Sequence, residues 1–492
     1  MTQARDLILV LDAGTTSTRA MVFDRQSAVL GVSRRELEQH YPRPGWVEHD
    51  AGEIWQSTLA CAREAVEIAG GAGAVACIGI TNQRETVVAW DKASGEPLSR
   101  AIVWQDRRTA GDCEALRNAG HELSVQRRTG LLLDPYFSAT KMRWLIDHVP
   151  EVKAAATAKR LALGTVESWL VAKLTGGAHL SDASNASRTS LLPLAGASWD
   201  DDLCDLFGVP PEALPEVVDN SGQLGTALAE HLGAPLPITG MAGDQQSATI
   251  GQACLAPGES KGTYGTGAFV LTNMGSELPR SNHRLLGTVL SQLGGERTYA
   301  LEGSVFVAGS LIKWLRDSLG VIEHAGETEE LARSVRDSGG VVIVPALSGL
   351  GAPHWRPDAR ASISGLSFSA NRAHVARAAL EAMALQTHDL AEAFAGDGAR
   401  WTKLRIDGGM SANDWMAQDM ADILALPVER PHFVETTALG AAMLAGFGAG
   451  LFGSLSEAAG AMRGEVRTFE PDMTAETRAV RLTSWREALS AV

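Results

Sequence analysis

The segment Asp12-Ala13-Gly14-Thr15-Thr16-Ser17-Thr18-Arg19-Ala20 puts a carboxylate, a glycine and a run of hydroxyls into one short stretch. A strand ending at Asp12 delivers the carboxylate to its tip, and Gly14 permits a tight turn. The hydroxyls and N–H groups of Thr15, Thr16 and Ser17 then line a small concavity. Such a concavity suits phosphate oxygens, with Asp12 set for Mg2+. Alone, Asp-x-Gly-Thr is as readily a plain hairpin turn. Its repetition as Thr263-Tyr264-Gly265-Thr266-Gly267, at the corresponding place in the second half, makes two facing glycine-threonine turns, a phosphate clamp. A third segment, Ile406 to Asp414, carries Gly408 and Gly409, which let a backbone approach closely before a helix begins. That suits an adenosine pocket. Neither a Gly-x-x-x-x-Gly-Lys-Ser/Thr loop nor the protein-kinase set of motifs occurs, so a nucleotide site built on these turns is of the actin-like ATPase kind.

Strands and helices must hold these turns. Leu7 to Asp12 is a continuous apolar run, followed at hairpin spacing by Arg19 to Asp24 and Val29 to Arg35. Asp50, with Glu53 three residues on, forms a capping box before the apolar-periodic Ile54 to Ala69, and Ala74 to Thr81 returns as a buried strand. A helix-rich middle leads to a strand, Pro235 to Gly240, that ends in Met241-Ala242-Gly243-Asp244-Gln245. From Glu259 a second strand meander begins. It leads into a helix over Phe306 to Leu319, a strand Val341 to Pro345, a long helix Ala373 to Ala395 and a strand Lys403 to Asp407. The halves repeat one topology, with no Pro- or Ser-rich linker between them. Residues 1–250 and 251–492 are expected to form two similar α/β lobes facing across a cleft, where ligands favour the crevice.

The totals exclude several classes. A chain of 492 residues is longer than one core usually extends. With 45% hydrophobic and 21% charged residues it reads as an ordinary soluble globular protein. The net charge of -15, unbroken by any Lys/Arg run, opposes nucleic acid as a partner. Five scattered cysteines without a Cys-x-x-Cys give neither a disulfide frame nor a zinc site, and a reducing cytoplasm fits. The opening apolar run is broken by Asp12 and reads as a strand, not a signal peptide. Ala438 to Leu455 is apolar and long enough to span a membrane, yet it is mostly Ala and Gly. A close-packed buried helix is expected, with no integral membrane segment.

The three turn segments together resemble the phosphate, second phosphate and adenosine motifs of the FGGY carbohydrate kinases, nearly end to end. ITNQRET, AIVWQDRR, DPYFSATK, NASRTSLL, GDQQSATIGQ, GTYGTG, PALSGLGAPHW, GLSF and TALGAAMLAG are similar in order and spacing to the glycerol-phosphorylating branch of that family. The resemblance implies an α/β fold of two actin-like ATPase (ribonuclease H-like) domains facing across a deep interlobe cleft. It also implies ATP as phosphoryl donor, Mg2+ with it, and a homodimer or homotetramer. On it, Arg84, Glu85, Tyr136, Asp244 and Gln245 bind glycerol, with Trp104 and Phe269 as the apolar wall. Thr15, Thr16, Ser17, Thr266, Gly309, Lys313, Gly409 and Asn413 contact the nucleotide, with Arg19 close to the phosphates. Asp12 and Asp244 hold the metal. Chemically, a triol needs both donors and acceptors, which Arg84, Glu85 and Tyr136 supply, and Asp244 is the expected general base. Without its context, an adjacent Arg-Glu pair is more often a surface pair; Gly-Asp also suits a helix N-cap ahead of Gln245 to Gly251, a role compatible with that of base.

The chain departs from the branch's usual pattern at Ala13, Gly262 and Ala268 beside the phosphate turns, and at Asp106, Glu167 and Lys313 elsewhere. The Gly-Gly-Thr-Arg loop that binds fructose 1,6-bisphosphate in some bacterial members is not apparent, and His231 is expected to be a plain surface histidine. Two other functions remain in play: an FGGY kinase for another polyol or ketose, and a non-catalytic nucleotide-binding protein of actin type.

Overall fold

The computed structural model describes residues 5–356 and 358–492. Leu7–Ala13 (β1) is buried along its whole length, as a central strand covered on both faces must be. It pairs antiparallel with Ser17–Phe23 (β2), which pairs with Val29–Glu36 (β3), so the expected meander forms. Ala51–Ile68 (α1) starts at Asp50, whose side chain accepts from Glu53 N at 3.0 Å. The second half of the expected capping box is missing. The Glu53 carboxylate accepts instead from Glu38 N at 3.2 Å, tying the helix start to the chain leaving β3. Ile54, Cys61, Ala62, Ala65 and Val66 form the apolar stripe that α1 lays on the sheet. Val75–Asn82 (β4) returns parallel to β1. After the helix-rich middle, Ser221–Ala227 (β5) and Leu236–Gly243 (β6) complete a six-stranded sheet of order β5-β6-β4-β1-β2-β3. Asp244–Gly251 (α2) follows at once.

The second half builds the same pattern. Ser260–Tyr264 (β7), Ala268–Gly275 (β8), Leu286–Leu293 (β9) and Glu296–Val305 (β10) form a meander. Gly309–Asp317 (α3) and Arg372–Gly396 (α4) follow, then Leu404–Asp407 (β11), Asp414–Leu424 (α5), Val428–Pro431 (β12), Thr436–Gly448 (α6) and Val466–Phe469 (β13). The sheet order is β9-β10-β8-β7-β11-β12-β13. Set beside the first sheet, β10-β8-β7-β11-β12-β13 matches β3-β2-β1-β4-β6-β5 pair by pair: two antiparallel, two parallel, one antiparallel. The duplication read from the turns is therefore a duplication of sheets. The helix expected over Phe306 to Leu319 is shorter, because β10 runs on to Val305 and Ala308 N is spent on Thr266 O at 2.9 Å.

The stretch rich in Ala and Gly is α6, buried and packed beside α2. Although it comes from the second half of the chain, it lies on β1, β4 and β6 of the first sheet. Its small residues allow this approach: a Cβ on Gly79 would stand 2.5 Å from Ala441 O, and one on Gly440 would overlap Ser247 O. Among the described residues no helix is long and apolar enough to cross a membrane. Two such sheets, with helices crossing where they meet, make the actin-like ATPase architecture of two ribonuclease H-like domains.

Candidate active site

Parallel strands leave their carboxyl ends on one edge, where ligands of α/β sheets bind. In the first lobe β1, β4 and β6 deliver Asp12, Gln83-Arg84-Glu85 and Asp244 to that edge. In the second lobe β7 and β11 deliver the Gly265-Thr266-Gly267 turn and Asp407-Gly408. The residue types found in the sequence thus stand on the edges that face the cleft.

The first turn closes with Gly14 N donating to Ser17 O at 3.0 Å, which leaves Thr15 and Thr16 at its tip. Thr16 is exposed, and Thr15 Oγ1 accepts from the Trp104 indole at 2.9 Å. Ser17 lies on β2 with its hydroxyl accepting from Arg34 Nε at 3.1 Å, so that hydroxyl is engaged away from the tip. Asp12 is buried and accepts from Arg19 Nη2 at 2.6 Å, while Arg19 Nη1 reaches Glu435 at 2.5 Å. Burial pushes the Asp12 carboxyl up, and Arg19 opposes it. Arg19 is thus held between two carboxylates.

The second turn closes with Gly265 N donating to Gly267 O at 2.9 Å. The start of α3 fills its inner side: Gly309 N donates to Gly265 O at 2.8 Å, and Ser310 N to Thr266 O at 3.1 Å. The Thr266 side chain is left exposed. Gly309 has no room for a Cβ, which would stand 2.6 Å from Gly265 O and 3.2 Å from the Met410 side chain. Gly408 adopts φ 87° with Tyr264 O 2.6 Å from where its Cβ would be, and Gly409 opens onto free space. Asn413 caps α5 by accepting from Met416 N at 2.9 Å and donates to Thr328 at 3.3 Å. Lys313 stands exposed one helical turn beyond Gly309. Turn, helix start and Gly409 make one continuous shelf.

Between the turns lies a dense polar cluster. Arg84 is buried and pairs with Asp244 Oδ1 at 3.2 Å, and it donates to Tyr136 Oη at 3.3 Å and to Glu302 at 2.5 Å. Glu85 holds φ 62°, a left-handed conformation costing about 1–2 kcal/mol in a non-glycine residue, and this sharp bend turns both neighbouring side chains inward. The surface-pair reading of Arg84 and Glu85 fails, since both are sealed from solvent. Asp244 opens α2 rather than capping it; Gly243 is the cap residue. Its Oδ1 accepts from Gln245 N at 2.7 Å and is ion-paired with Arg84 Nε at 3.2 Å, and among the described residues Oδ2 has no hydrogen bond. The Asp244 side chain is 33% exposed whereas those of Arg84 and Glu85 are at 2% and 1%, so this carboxylate is the one that faces the cleft. Burial pushes it above the usual carboxylate range, against the pull of Arg84 and Lys261.

Trp104 meets Tyr136 edge-on at 5.6 Å and Phe269 at 6.2 Å, forming an apolar wall beside the polar cluster. Since Trp104 also reaches Thr15, one side chain joins this apolar wall to the Gly14–Ser17 turn and to the second lobe. Gln245 accepts from the buried Lys261 at 2.6 Å. Lys261, Arg188, Glu302 and Lys141 escaped the sequence reading. Arg188 sits inside NASRTSLL and Lys141 inside DPYFSATK, while Lys261 and Glu302 lie in the strand meander that begins at Glu259; the alternation of Lys261 with Thr263 along β7 was a usable signal. Lys141 donates to the carbonyls of Pro135, Tyr136 and Phe137 at 3.0, 2.5 and 2.9 Å, pinning the Tyr136 segment, and burial brings its ammonium down to about 8.

The departures are absorbed locally. Ala13 points into the core beneath α1, and a Cβ on Gly262 would stand 2.9 Å from the Tyr264 ring. Asp106 accepts from Val47 N at 2.7 Å and from Arg108 at 2.8 Å. Glu167 accepts from Thr165, Ser181 and Asn82 at 2.6, 2.7 and 3.0 Å, behind the Arg84 strand. His231 is half-buried against Trp55 at 5.1 Å, not a plain surface group.

Gln83 carries a pH-dependent element. Its amide donates to Gly14 O at 3.1 Å and lies 3.2 Å from His49 Nδ1, while His49 Nε2 is buried without a partner among the described residues. The network assigns the accepting role to Nδ1. Burial, and then His40, lower His49 from 6.5 to about 4. The folded protein keeps it neutral, so its stabilising effect is complete above pH 6.5 and lost as pH falls toward 4. Urea unfolding at about pH 7.5 and about pH 5 should show about 2 kcal/mol less pH dependence in His49→Gln than in the unmutated chain.

Donors, acceptors and an apolar wall around an open carboxylate suit a small polyhydroxy molecule, and the paired turns beside it suit a nucleotide polyphosphate. Fold and site together define a two-lobed small-molecule kinase. The family models for the N-terminal and C-terminal domains of the FGGY carbohydrate kinases match residues 7–251 and 261–449. A glycerol kinase of Gluconobacter oxydans is 52% identical over 99% of this chain and 95% of its own length. The solved glycerol kinase of Plasmodium falciparum with ADP superposes with a TM-score of 0.94 at 35% identity, covering 99% of this chain and 98% of that one. A xylulose kinase from Rhodospirillum rubrum gives 0.85 at 26% identity, over 99% and 98%. The chain belongs to the FGGY family of carbohydrate kinases.

Proposed function

We infer that this enzyme transfers the γ-phosphoryl group of ATP to glycerol, giving sn-glycerol 3-phosphate in glycerol catabolism. The observation that carries the reading is the open Asp244 Oδ2 beside Arg84, Tyr136 and the Trp104 wall; 52% identity to a glycerol kinase supports the choice of polyol over ketose. Arg84 and Tyr136 donate to the hydroxyls, and Glu85, Gln245 and Asp244 accept from them. Trp104 and Phe269 cover the carbon chain. Asp244 Oδ2 orients the attacking hydroxyl and takes its proton.

Thr15, Thr16 and Thr266 face the phosphates. Ser17 belongs to the first of these turns and Arg19 lies close to the phosphates, while Gly309 and Gly409 let backbone approach the adenosine, with Lys313 and Asn413 beside them. Residues 1–250 then serve the polyol and first turn, and residues 251–492 the second turn and adenosine. Mg2+ takes few protein carboxylates and keeps phosphate and water ligands, so the two hard oxygens of Asp12 and Asp244 fit it. When bound with ATP it draws charge from the phosphates. A cytoplasmic homodimer or homotetramer is the accompanying expectation.

ADP release should be strictly dependent on added glycerol; equal release without it would leave only a nucleotide-binding protein of actin type. Gly309→Ala should raise the KM for ATP about tenfold, since the added methyl displaces the second turn and overpacking costs about 1–3 kcal/mol, while the glycerol KM stays within about twofold. Coupled assays varying each substrate separately check this.

A further inference from the structure

Glu302 comes from β10 of the second lobe, yet its fully buried carboxylate grips two guanidinium groups of the first. Oε2 accepts from Arg84 Nη1 at 2.5 Å, and Oε1 accepts from Arg188 Nη2 at 2.9 Å and Arg84 Nη2 at 3.3 Å. Burial alone would raise this carboxyl, but Arg188 and Arg84 outweigh it and hold it at about 2. Arg188 is itself fully buried. Its Nε donates to Glu85 at 2.5 Å, its Nη1 has no hydrogen-bond partner among the described residues, and its guanidinium covers the Tyr136 and Phe137 rings at 5.5 and 5.2 Å. Two buried like charges repel, and their repulsion is offset most directly by a carboxylate that hydrogen-bonds to both. Glu302 is that carboxylate.

We propose that Glu302, acting through Arg188, is a cross-lobe positioning residue for the polyol. One side chain orients the donor Arg84 directly, and it orients the acceptor Glu85 and the Tyr136 ring by way of Arg188. β10 pairs with β8, which begins at the second phosphate turn, so the carboxylate that organises the polyol groups is registered to the sheet that carries that turn. Polyol geometry and phosphate geometry are thereby fixed relative to one another. This inference rests on the polyol reading above.

The test is the kinetics of Glu302→Gln, an isosteric change that removes the charge and presents an amide N–H to a guanidinium. The KM for glycerol should rise about 30-fold or more, as when one partner of a buried charge pair is lost, while the KM for ATP stays within about threefold. Preference for glycerol over propane-1,2-diol should fall about tenfold, because misaligned donors no longer reward the third hydroxyl. Circular dichroism and binding of a fluorescent ATP analogue report folding independently. Arg188→Lys keeps the charge but cannot bridge Glu85 and Glu302 together; it should move the glycerol KM in the same direction, and it carries the test if Glu302→Gln does not fold. The proposal is overturned if the folded variants shift both KM values equally, or lower thermal stability while leaving the glycerol KM within about threefold. If the unmutated enzyme fails to phosphorylate glycerol, the proposed function itself fails, and that result is read before any variant.

Discussion

Replacing Asp244 by Asn is expected to lower kcat by on the order of 10² to 10⁴ while ATP binding changes little. Asn keeps the shape of the side chain, and its Oδ1 can still accept from Gln245 N, as Asp244 Oδ1 does at 2.7 Å. What is lost is Oδ2, which has no hydrogen bond among the described residues and belongs to the carboxylate that is 33% exposed where Glu85 is at 1%, so it is open to take a proton from an attacking hydroxyl. Phosphoryl transfer needs little covalent help, so the loss should fall on kcat rather than on nucleotide affinity. Steady-state kinetics with titration of an ATP analogue separate the two. Turnover near that of the unmutated enzyme would remove Asp244 from the role of base.

Arg84→Met should be at least as damaging to kcat/KM for glycerol, by about 10³-fold or more, and should also lower the Tm. Arg84 faces Asp244, Glu302 and Glu85 at 3.2, 2.5 and 3.9 Å, so truncation strands buried carboxylates beside a site that has lost its principal donor. Breaking a buried pair costs about 3–5 kcal/mol, and a site built on hydroxyl contacts discriminates by roughly 10⁴ when one contact goes. Calorimetry and kcat/KM measured together check both parts. A decrease in kcat/KM below about fivefold would show that Arg84 is structural and does not touch the substrate.

Much of this could be read from residue order because turns and strands are local. The Gly14 and Gly265 turns, the apolar run of β1 and the Asp50 cap each depend on a few adjacent residues, and all formed where expected. Pairing the two turns also revealed the duplicated sheets, since repeated chemistry at repeated places implies repeated topology. Contacts between distant residues were not legible in that way. Glu302 and Arg84 are 218 positions apart, and nothing in either neighbourhood announces the other. Ser17 looked like a phosphate ligand by adjacency, but strand alternation turned its hydroxyl toward Arg34. Ala13 and Gly262 looked like changes to the phosphate turns, whereas their side-chain positions face the β1–α1 core and the Tyr264 ring. α6 shows the same limit at larger scale. Its Ala and Gly content foretold close packing, but the sheet it packs on belongs to the other half of the chain.

The most direct test of the account is a comparison of kcat/KM for glycerol, propane-1,2-diol, xylulose and gluconate with ATP saturating, the product being identified by a dehydrogenase that oxidises only sn-glycerol 3-phosphate. The account predicts that glycerol exceeds every other acceptor by about 10²-fold or more and that its product is oxidised completely. A ketose or sugar acid phosphorylated faster than glycerol, or a product that the dehydrogenase leaves untouched, would contradict it.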